Sequence, residues 1–72
     1  MKDINAVLDR TIEENKPLVD AWLSNKPGAW GALAGKAIVA ITRHLGRTLE
    51  ESEKRLVWQT LWAKLTEKKM FI

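Results

Sequence analysis

AWGALAGKAIVAITRHLG, running from Ala29 to Gly46, is the stretch whose reading decides the architecture. Trp30, Leu33, Ala34, Ala37, Ile38, Ile41 and Leu45 recur there at intervals of three and four. That spacing stacks apolar side chains along one side of an α-helix. Gly46 follows the last of them, where a left-handed residue closes a helix. A second, narrower line runs through Gly31, Gly35, Val39 and Thr42. Each glycine inside a helix costs about 1 kcal/mol against alanine, so two of them four apart predict a close approach by another backbone. Lys36 and Arg43 interrupt the segment and exclude the membrane-dimer reading of Gly-x-x-x-Gly.

Three other helices surround this one in sequence. Ile4, Val7, Leu8, Thr11 and Ile12 predict a one-faced amphipathic helix over about 3–15, with Asp3 as its N-cap. Pro17 opens a short helix over about 17–24, in which Leu18 pairs with Trp22 and Val19 with Leu23. Ser24-Asn25-Lys26-Pro27-Gly28 is the clearest loop, and the third helix spans about 29–45. Thr48 with Glu51 reads as a capping box for a fourth helix over about 49–68. On it Val57, Trp58, Leu61, Trp62 and Leu65 form a broad apolar face, and Leu49, Leu56, Thr60 and Ala63 a weaker second one. The fold expected is all-α: one small bundle of three to four helices around a helix 3–helix 4 hairpin. Its second apolar stripes are covered either by helices one and two or by a second copy, through Leu49, Leu56 and Ala63.

Composition removes most chemistries. At 72 residues there is room for one core. The absence of cysteine excludes disulfides, thiolate metal sites and cysteine nucleophiles, and a single histidine excludes multi-histidine metal sites. The longest wholly apolar run, Ala37 to Ile41, is far below the roughly 20 residues of a membrane span. No apolar signal segment follows Lys2, so a cytoplasmic location is expected. His44, at a helix C-terminus beside Arg43, has no acid within five residues and fits the helix dipole better than a general base. Glu50, Glu51 and Glu53 belong to a first helical turn, with no second carboxylate cluster to complete a metal site. Catalysis, metal and cofactor are therefore not expected.

Charge is informative by segment. The chain carries a net +3, yet Asp20 and Glu50 bracket 29 residues without a carboxylate. Lys26, Lys36, Arg43 and Arg47 lie inside that interval. Lys36 and Arg43, seven apart, share the polar side of the third helix, a line that a phosphate backbone can follow. A helix-turn-helix reader of DNA is disfavoured: the helix after Gly46-Arg47-Thr48 opens on Leu49-Glu50-Glu51, whose carboxylates would face phosphates. The four tryptophans sit on apolar stripes and are expected in the core, with Trp58 and Trp62 the pair to show an indole edge. Their alternative use is base stacking or partner binding.

The stretch from Asn25 to Ile38 resembles the tail domain shared by the B subunit of the tRNA-dependent amidotransferase and the YqeY proteins. Lys26, Ala29, Gly31, Leu33, Gly35 and Ile38 match its pattern without a gap, and Gly46-Arg47 echoes a later Gly-basic pair. Asn25 stands where the family has Gly, the interval to Gly46 is longer, and the family's Ala-Asn-Pro is missing. The resemblance covers about 14 residues closely. It implies a helical, non-catalytic domain that leans on tRNA, with Lys26, Lys36 and Arg47 as contacts.

Overall fold

In the computed structural model, which describes residues 4–70, the apolar stripes become four helices. These are α1 (Ile4–Glu14), α2 (Lys16–Leu23), α3 (Ala29–Leu45) and α4 (Glu51–Met70). No strand occurs among the described residues. α3 is the hub. It packs most extensively on α1, then on α2 and α4, while α1 meets α2 and α4 more narrowly. The bundle measures 34 × 21 × 21 Å. Leu8 of α1, Leu33 and Ile41 of α3, and Val57, Leu61 and Leu65 of α4 are fully buried at its centre. Burial of each such side chain favours folding by about 1.5–3 kcal/mol, and burial of Val19 and Trp22 holds the eight-residue α2 to the others.

The corners follow from their residues. Pro17 has no N–H, and α1 gives way to α2 at one residue, Asn15. The Asn15 side chain donates to the Thr11 carbonyl at 2.7 Å. Its own carbonyl accepts from the backbone of Leu18 and Val19 at 3.0 and 3.1 Å. α2 ends in a Schellman motif: Lys26 N–H donates to Ala21 C=O at 2.9 Å and Asn25 N–H to Trp22 C=O at 3.0 Å. Asn25 is left-handed there, with φ 59°. Gly46, at φ 72°, closes α3 as its position predicts and donates to the Thr42 carbonyl at 2.9 Å.

Several expectations need correction. Asp3 lies outside the described residues. α2 begins at Lys16, one residue before Pro17, and α4 runs to Met70. The capping box at the start of α4 is two residues further on than Thr48 with Glu51. Glu50 C=O accepts from Lys54 N–H at 2.9 Å, and Glu53 Oε1 accepts from Glu50 N–H at 3.0 Å. The shift lets Leu49 drop into the core, where it is 5% exposed, so Leu49 leaves the stripe it was assigned to with Leu56 and Ala63. The close backbone approach at Gly31 and Gly35 is absent, since a Cβ at either would meet nothing within 4 Å. Trp22 is buried and Trp30 half-buried as expected, and Trp58 and Trp62, the pair expected to show an indole edge, are 37% and 50% exposed. Val57, Leu61 and Leu65 take the core-facing side of α4, which leaves the two indoles on its flank.

Candidate functional site

Two grooves and one aromatic cluster mark the surface. The first groove, about 710 Å³, lies where α1, α2 and the second half of α4 converge. Its rim mixes Asp9, Glu13, Asp20 and Glu67 with Lys16, Lys64 and Lys68, over Ile12, Val19 and Leu23. Lys64 Nζ donates to Asp9 Oδ1 at 2.9 Å across it. With both signs interleaved, this groove prefers no simple polyanion or polycation.

The second groove, about 670 Å³, runs between the end of α1 and the outer side of α3. Gly31, Gly35 and Val39 form its open floor, Lys36 and Arg43 stand on the α3 side, and Thr11, Glu14 and Asn15 on the α1 side. Lys36 and Arg43 are exposed, and seven helical residues place them about 10 Å apart along the axis. Glu14 is the one acid of this groove.

The four basic residues singled out from the sequence thus divide. Lys36 and Arg43 share the α3 face. Lys26 stands exposed in the α2–α3 turn. None of these three enters an ion pair among the described residues. Arg47 is committed elsewhere, donating through both terminal nitrogens to the Glu53 carboxylate at 2.7 and 2.5 Å. That fork, with the Glu50 backbone N–H, pushes the Glu53 carboxyl down to about 2 and raises the Arg47 guanidinium further. His44 is exposed in the last turn of α3. Among the described residues no three His, Asp or Glu side chains gather to hold a metal. No helix there is long and apolar enough to cross a membrane.

Leu56, at 42% exposure, and Ala63 are both exposed on α4. The larger exposed apolar groups lie on its other flank. Trp62 meets Trp22 at 5.4 Å and Trp30 at 5.1 Å between ring centroids, both edge to face at 88° and 85°. Lys69 Nζ lies 5.4 Å from the Trp22 ring and donates to Asn25 Oδ1 at 3.4 Å. Sequence reasoning named these tryptophans without joining them to cations. The signal was present: Arg55, Trp58, Trp62 and Lys69 recur at intervals of three, four and seven.

No protein-family model, curated protein or solved structure matches the chain.

Proposed function

We propose that this chain is a non-catalytic, cytoplasmic RNA-binding module that leans on tRNA or a similarly folded RNA through the outer side of α3. The observation that carries the reading is the pair Lys36 and Arg43, exposed two turns apart on one face with no carboxylate partner among the described residues. Lys26 extends the positive surface into the preceding turn, and the glycine floor lets a sugar-phosphate backbone approach α3 closely. Arg47 serves first as the partner of Glu53 and is a lesser contact. The resemblance to the amidotransferase and YqeY tail domain points the same way. Its Gly-to-Asn departure falls at Asn25, a left-handed position that both residues accept.

The test is anisotropy of labelled tRNA titrated with the protein at about 50 and 200 mM salt. Binding that weakens steeply with salt, and that is lost on combining Lys36→Glu with Arg43→Glu, supports the assignment. Salt-independent binding, or binding unchanged by the double substitution, refutes it.

A second reading is a protein-interaction or homodimerisation module, favoured by the exposure of Leu56 and Ala63 on one flank of α4. Leu49 takes no part in it, being core. Under this reading the chain has a dimer mass in solution that salt leaves unchanged and Leu56→Glu abolishes.

A further inference from the structure

Arg55, Trp58, Trp62 and Lys69 line one side of α4, beside the Trp22 and Trp30 rings of α2 and α3, and all four are exposed. Trp62 is half-exposed yet fixed, because Trp22 and Trp30 hold it from two directions. A ring immobilised before binding loses little freedom when a ligand stacks on it. Cations flank the indoles at both ends. Arg55 precedes Trp58 by three residues, Lys69 follows Trp62 by seven, and Asn25, which accepts from Lys69, adjoins Lys26. None of these three cations enters an ion pair among the described residues. The acid at this end of the line is Glu51, one turn before Arg55 and 3.8 Å from Lys54.

We propose that a single-stranded RNA segment docks along this side of α4, with bases stacked on Trp58 and Trp62 and phosphates held by Arg55, Lys69 and Lys26. The inference rests on the reading of the chain as RNA-binding and adds the form of RNA that is taken and a second surface. Charge complementarity selects a polyanion, and the paired indoles select one that offers flat apolar faces. Access to base faces selects a single strand. Four helical residues separate the two indoles by about 6 Å of rise. In a duplex the faces of internal bases are covered by stacked neighbours, so bases stack on both rings only from an unpaired strand. Arg55 and Lys69 stand about 21 Å apart along the axis, so the track holds a short segment and not a whole helix.

The experiment titrates the full chain into a labelled short oligouridylate, and into the same strand annealed to its complement, at about 50 mM salt. The single strand binds more tightly than the duplex. Trp58→Ala and Trp62→Leu each weaken it about fivefold or more, whereas Trp62→Phe keeps most of the affinity. Trp58 enters neither ring pair described for Trp62, so Trp58→Ala decides if Trp62→Leu loses helical circular dichroism. Three results overturn the proposal: unchanged binding in folded Trp58→Ala and Trp62→Leu, equal binding of oligodeoxyuridylate, or a dimer that Trp58→Ala converts to monomer. If the combined Lys36→Glu and Arg43→Glu variant alone loses binding, only this inference falls. If the native chain binds neither of these RNAs nor labelled tRNA, the reading of the chain as RNA-binding falls with it.

Discussion

The Arg47 guanidinium grips the Glu53 carboxylate with two nitrogens, at 2.7 and 2.5 Å, across the turn that joins α3 to α4. Glu53 Oε1 at the same time accepts the Glu50 backbone N–H at 3.0 Å. One carboxylate thereby caps α4 and fastens the connection that precedes it. The side chain of Glu53 is 18% exposed against 52% for Arg47, so the acid is the more enclosed partner. A basic residue marked by sequence as an RNA contact is thus a structural element of the corner.

This bond gives the α4 cap a pH dependence. The Glu53 carboxyl is held down at about 2, below its ordinary 4.5. A carboxyl depressed in the folded state stabilises it fully above the unfolded value and loses that contribution as pH falls through the folded one. Native protein should therefore have a higher melting temperature than Glu53→Gln near pH 7, with the gap narrowing from about pH 4.5 and closing toward pH 2. Thermal melts of both proteins across that range test it, and a gap that persists at pH 2 contradicts the assignment.

The helix-interior glycines should respond in the opposite sense to the capping glycine. A methyl group at Gly31 or Gly35 meets nothing within 4 Å, and alanine is the better helix former. Gly31→Ala and Gly35→Ala should each stabilise by about 0.4–1 kcal/mol. Gly46 sits at φ 72°, and Gly46→Ala should destabilise by about 1–2 kcal/mol. Urea unfolding of the three variants measures both signs. If the floor of the α3 groove admits a sugar-phosphate backbone, the stabilised Gly35→Ala protein also binds tRNA more weakly.

Leucines on two sides of α4 should differ sharply. Leu61 is fully buried, and Leu61→Ala should cost about 2–5 kcal/mol. Leu56 is 42% exposed, and Leu56→Ala in the monomer should stay within about 0.5 kcal/mol of native. Chemical denaturation reads both, and a Leu56 effect as large as that of Leu61 would mean that a partner covers this flank.

The ion pair of Lys64 with Asp9 joins α4 to α1 over 55 positions in sequence, yet the Asp9 side chain is 65% exposed. Asp9→Asn should change stability by less than about 1 kcal/mol, and less again at high salt. A larger loss in denaturation experiments would show that the bond, and not the leucine core, fixes α1 against α4.

What the sequence disclosed and what it hid divide along local and non-local physics. The stripe from Trp30 to Leu45, the break before Pro17 and the left-handed Gly46 depend on neighbours a few residues away, and each appears in the structure within a residue of where its pattern puts it. The start of α4 offers two overlapping caps, Thr48 with Glu51 and Glu50 with Glu53. The choice between them is made by Arg47 pairing with Glu53 and by Leu49 seeking the core. Gly31 and Gly35 declare only that a Cβ is missing, and nothing in their spacing states whether a neighbour fills the space. That Trp58 and Trp62 show an edge was legible, but how much of each ring shows was hidden for a related reason. Both rings lie on an apolar stripe broader than the area α3 can cover, and the width of that cover is a property of the packed bundle.

The mutual contact of Trp22, Trp62 and Trp30 also determines how the molecule handles light. Indoles with centroids 5.4 and 5.1 Å apart pass excitation among themselves faster than they emit it. The photon leaves from the ring of lowest excited energy, which is the one facing water. Absorption by buried Trp22 should thus emerge through half-exposed Trp62, and the native emission should lie to the red despite an enclosed absorber. Unfolding should move that maximum little, since the emitting ring already faces solvent. The recovery of separate emission from three uncoupled indoles is the sharper signal that α2 and α4 have left α3.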